Sequence, residues 1–184
     1  MRIINKWHDK QNRSLEQIAA SLGFNAWKIS YNAIKSIQDA KIYFSSRYQG
    51  LLVIAEFMAF QIQLADRLLY QRLDDQEREL FIQSFASKCL QTLNDNRADF
   101  INEGLESNHD FRAIFNQRLN DYAMFSFDNP NKPGYASLRY LGEKIAQIMG
   151  KEDQDSKWVI DQVMEIEGFE VFKQLKNSLE TLSS

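Results

Sequence analysis

The sequence predicts an all-α protein: a single helical bundle or orthogonal array of about eight to nine helices, with no sheet. Three observations predict it. Apolar residues recur at helical spacing along almost the whole chain, and alternating strand-like runs are absent. Only seven Gly and two Pro interrupt 184 residues, so long helices and few tight turns are expected. Hydrophobic residues make up 44% and aromatic residues 12%, enough for a packed core and too much for a disordered chain.

The elements follow in order. Ser14-Leu15-Glu16-Gln17 is a capping-box pattern. The Ser hydroxyl can accept a backbone N–H while Gln17 reaches back. A short helix follows, with Leu15, Ile18, Ala19 and Leu22 on one side, and Gly23 is expected to end it. Asn25 then caps a second helix that carries Trp27, Ile29, Ile34 and Ile37 towards Tyr48. The third helix, from Leu51 to Leu73, is apolar on nearly every face and is expected at the centre. Its run Leu51–Leu64 is interrupted by Glu56, Gln61 and Gln63, whereas a bilayer span needs about 20 mostly apolar residues. It therefore reads as a core helix.

Asp74 and Asp75 open a fourth helix that shows Leu80, Phe81, Phe85, Cys89 and Leu93. Asn94-Asp95-Asn96 reads as a turn, and a shorter helix is expected over Arg97–Leu105. Asp110 starts the next, with Phe111, Ile114, Phe115, Leu119 and Tyr122. Phe127–Gly134 holds both prolines and is the one strong loop. Helices near Ala136–Met149, Ser156–Glu167 and Phe169–Leu182 complete the chain.

Charge divides the chain. Residues 1–50 have a net charge of +5 and residues 51–184 one of −8. The expected organisation is a basic N-terminal helical module, 1–50, packed on an acidic helical body, 51–184. The N-terminus lacks the apolar stretch of a signal peptide, and the lone Cys89 can form no internal disulfide. The expected location is the cytoplasm.

The stretch from Ser14 to Ser30 raises the sharpest functional question. Ala19 and Gly23 have the separation that a helix-turn-helix needs, and Ile18, Leu22, Phe24 and Ile29 could lock the two helices. "SLEQIAASLGF" resembles the first half of the helix-turn-helix in bacterial transcription regulators, especially the AraC-like group. That resemblance covers about 20 residues and implies that Arg13, Asn25, Lys28, Asn32 and Lys35 face DNA. Asn32 and Ala33 depart from it, since larger apolar groups are expected there. In size and layout the chain is also similar to TetR-like regulators, without their motif between turn and second helix. The preferred reading is a plain helix corner at Gly23. DNA recognition through residues 13–41 stands as the alternative.

Other chemistry-bearing residues are few. Glu56, Gln63 and Arg67 share one face of the apolar helix and read as a buried polar seam in which Glu56 is satisfied by Arg67, Gln63 or another helix, with Asp66 and Arg67 as members of a structural ion pair. A catalytic or ligand-binding Glu56 is the less favoured reading. Glu106-x-x-His109 has di-iron spacing, but the other histidine, His8, stands in no such motif. Cys89 lies on an apolar face and reads as core. Tyr135, Arg139 and Tyr140 follow the proline loop and could form a rim that touches a partner. No cofactor, metal site or enzymatic activity is expected. The sequence favours a non-enzymatic protein that binds another protein, with homo-oligomerisation open. The alternatives are a DNA-binding regulator and a small-molecule-binding bundle.

Overall fold

The computed structural model describes residues 13–100, 110–127, 129–150 and 154–183. Among these there are six helices and no strand. They are α1 (Leu15–Asp39), α2 (Arg47–Leu69), α3 (Asp75–Phe100), α4 (Phe111–Ala123), α5 (Tyr135–Ile148) and a long α6. The last begins as Gln154–Gln162, passes through a π-helical turn at Val163–Glu167 and continues as Gly168–Ser183. No helix is long and apolar enough to cross a membrane among the described residues.

The count of six corrects the expected eight to nine, because three expected breaks do not occur. Gly23 lies inside α1, not at its end. It is small because α1 crosses α3 at this point. A Cβ on Gly23 would lie 2.6 Å from Cγ and 2.7 Å from Cβ of Lys88. Asn94-Asp95-Asn96 continues α3, where the Asn96 amide donates to the Thr92 carbonyl at 2.8 Å. The gap between the two expected C-terminal helices is bridged by the π turn, whose Gly168 N–H donates to the Val163 carbonyl. A Cβ on Gly168 would collide with Leu138 of α5. A widened turn ending in glycine thus lets α5 pack against α6 without breaking it.

The helix starts follow the local chemistry. Ser14 and Gln17 form the reciprocal capping box, with N···O distances of 3.0 and 3.3 Å. Asp74 and Glu77 repeat it before α3, and the Asp110 carboxylate accepts from Arg112 N at 2.9 Å. Before α2, Ser46 Oγ accepts from Gln49 N, while the Gln49 amide donates to the Ile148 carbonyl at the end of α5.

Helix α1 ends in a Schellman motif. Lys41 N–H donates to Gln38 O and Ile42 N–H to Ile37 O, with Ile37 and Ile42 both buried. Lys41 occupies the left-handed region at φ 63°. A Cβ there costs on the order of 1 kcal/mol, so Lys41→Gly is expected to stabilise the fold by somewhat less than that. A urea midpoint unchanged or lowered by Lys41→Gly would show that the motif carries no such strain.

Every side chain from Val53 to Ala65 of α2 is buried. The helix packs against α1, α3, α4, α5 and the second half of α6, which makes it the central rod. The same core includes Leu22, Ala26 and Ile37 of α1, so the N-terminal helix and the helices that follow it share one interior.

Candidate functional site

The structure gathers its polar chemistry inside the core. Glu56 is 1% exposed. Arg118 of α4 clasps it with Nε 2.7 Å from Oε2 and Nη2 2.8 Å from Oε1. Asp121 stands 3.9 Å from Arg118 Nη1 and accepts a hydrogen bond from the Tyr140 hydroxyl of α5. The Tyr140 ring meets the buried Tyr122 ring edge-on, with centroids 5.2 Å apart. Burial pushes the Tyr122 and Tyr140 phenols well above their ordinary value; for Tyr140 the hydrogen bond to Asp121 adds to the rise. Both rings are therefore neutral, and Glu56 is held by two parallel N–H···O contacts. That geometry suits a structural clasp.

The expected seam is only partly formed. Glu56 and Gln63 are buried, and of the three expected ways to satisfy Glu56 the structure shows the third, another helix, through Arg118 of α4. Asp66 pairs with Arg78 of α3 at 2.7 Å and not with Arg67. The Gln63 side-chain oxygen and Arg67 Nε are buried without a partner among the described residues. A second buried polar contact has no counterpart in the sequence reading. The Gln61 amide donates to Ser30 Oγ at 2.9 Å and to the Ala26 carbonyl at 3.1 Å, which ties α2 to α1. Arg118 escapes sequence reasoning because nothing local marks it. Its partner lies 62 residues away in the chain.

The residues read as DNA contacts lie on one unbroken helix or just before it. Arg13, Lys28, Asn32 and Lys35 are exposed and Asn25 is half-buried. Lys28 Nζ stands 4.5 Å from the centre of the Phe24 ring, and Lys35 Nζ 4.7 Å from that of Tyr31. There is no turn near Gly23 between two helices, so the corner on which the helix-turn-helix resemblance depends is not formed.

The expected rim separates into outside and inside. Tyr135 is 67% exposed, and Arg139 is exposed with its Nε 2.8 Å from Glu143. Tyr140 turns inward to Asp121. Tyr135 lies between two clefts that share Met164 and Glu165 of the π turn. One, of about 440 Å³, is floored by Pro133 and Leu138 and walled by Phe169. The other, of about 430 Å³, runs past Arg139, Ile160 and Asp161. Phe169 is itself 41% exposed, an unusual amount for phenylalanine. The exposed Phe169 and the π turn carry no signal in the chain's periodicity.

Cys89 is buried and burial raises its thiol above the ordinary value, which disfavours the reactive thiolate. Glu167, inside the π turn, is also raised by burial, against the opposing hydrogen bonds of Gln162 and Ser36. Among the described residues no three His, Cys, Asp or Glu side chains come together as a metal site. His8, Glu106 and His109 lie outside the described residues. Comparison with known proteins gave no match, whether to a family model, a curated protein or a solved structure.

Proposed function

We propose that this protein works by binding rather than by catalysis, and that it holds an apolar segment of another protein in the twin clefts around Tyr135. The observation that carries the reading is the exposed Tyr135–Phe169 pair over the buried floor of Pro133 and Leu138. Large apolar side chains beside a shaped cleft are how protein interfaces are anchored. The charges around them support a protein partner rather than a polyanion. Lys132, Arg139 and Lys157 alternate with Asp161 and Glu165, so no single sign dominates. The locked Glu56 and the buried Cys89 thiol support the non-catalytic half of the reading.

Selection from phage-displayed random peptides tests this. The full chain is expected to enrich peptides with two or more spaced apolar residues. Their affinity should fall about tenfold or more in Tyr135→Glu and Phe169→Glu, with the helical circular dichroism unchanged. If the selected peptides bind the double variant as well as the natural chain, the clefts are not the docking site.

A further inference from the structure

We infer that a further cleft, at the C-terminal end of α2, binds the phosphate group of a small organic phosphate. The cleft measures about 650 Å³. That lies within the range of roughly 300–1,000 Å³ typical of small-molecule sites. Three cations line it: Arg67 from the last turn of α2, Arg72 from the loop that follows, and Lys176 from the second half of α6. Among the described residues no acidic side chain lines it, although residues 51–184 carry a net charge of −8. A cationic hollow on an acidic surface focuses a positive potential into one place.

The three cations are held in different ways. Arg67 Nη2 reaches the Ala123 carbonyl only at 3.5 Å, and its Nε is buried without a partner among the described residues. Neither Arg67 nor Arg72 pairs with a carboxylate among the described residues, since nearby Asp66 is taken by Arg78. Lys176 is steadied by Asn131, whose Oδ1 accepts from Nζ at 3.0 Å. An oxyanion entering the cleft would therefore meet guanidinium and ammonium donors that pair with no carboxylate among the described residues. Tyr70 and Phe127 add flat apolar walls for the body that carries the phosphate. A long polyanion fits less well, because the acidic remainder of residues 51–184 would repel it beyond this short positive zone.

Calorimetric titration of the full chain with inorganic phosphate, AMP and glucose 6-phosphate tests the inference, with adenosine as the uncharged control. Saturable binding of a phosphate probe that weakens with salt, and about tenfold or more in Arg72→Ala and Lys176→Ala, is the expected result. AMP binding more tightly than glucose 6-phosphate would support the role of Tyr70 and Phe127 as walls for an aromatic body. Vesicles containing phosphatidic acid form a further arm, and binding to them alone would overturn the small-molecule assignment. So would the absence of saturation by any phosphate probe at about 1 mM, or binding equally strong in the Arg72→Ala/Lys176→Ala double variant. Thermal melts of each variant establish that it is folded, so a lost signal reports on the cleft.

Discussion

Arg118→Ala is expected to destabilise the protein by about 3–5 kcal/mol, the cost of leaving one partner of a buried ion pair uncompensated. Glu56 has a side-chain exposure of 2% and Arg118 one of 12%, so water cannot replace the lost guanidinium without opening the core. The carboxylate must then either stay charged without its partner or take up a proton, and both cost free energy. Arg118 also ties Asp121 into the network, and its loss would leave the Tyr140 hydrogen bond without its neighbouring positive charge. The effect should appear as a large drop in the urea midpoint measured by circular dichroism. The double variant Glu56→Leu/Arg118→Met removes both charges together and should recover most of the loss, as replacement of a whole buried pair often does. A loss below about 1 kcal/mol for Arg118→Ala would mean that the pair is solvated and adds no more than a surface bridge.

Gly23→Leu is the second large effect, at about 3 kcal/mol of destabilisation. In an ordinary helix interior the change would favour stability, since glycine is among the poorest helix formers, by roughly 1 kcal/mol. Here the sign reverses, because even a Cβ meets the stem of Lys88 at 2.6 Å and α1 would have to move away from α3. Lys88 is touched at its Cβ and Cγ, close to the backbone, so rotating the end of the chain does not clear the space. The partner change Lys88→Gly should therefore couple to it. A double-mutant cycle is expected to show an interaction of about 1 kcal/mol or more between the two sites. Strict additivity would mean that Gly23 does not serve as the crossing point.

How far the chain can be read is clearest at these two residues. Gly23 is visible as a special position, yet the sequence assigns it to a helix end, because a glycine after an amphipathic turn commonly stops a helix. The same missing side chain serves close packing when another helix lies above it, and which helix lies above is a long-range fact. Glu56 is visible too, as an acid in an apolar run that has to be paired. The chain leaves Gln63, Arg67 or another helix open as the partner, and which helix supplies it, α4, is not written near Glu56. Tyr135, which follows the proline loop, lies at the surface. Tyr140, five residues on, is turned inward by an acid that the spacing within α5 does not show.

Local chemistry in the chain is enough to make helices and to start them. The hydroxyl of Ser14 and the carboxylates of Asp74 and Asp110 satisfy backbone N–H groups within three residues, so their effect is written next to them. The nearly continuous apolar run of α2 likewise requires a position at the centre, since no other place removes every face from water. Tertiary packing decided the rest: where helices continue through Gly23, Asp95 and Gly168, which cation closes on Glu56, and which side chains line the clefts. Those outcomes depend on atoms brought together from distant parts of the chain, and helical periodicity records which face is buried but not what it is buried against.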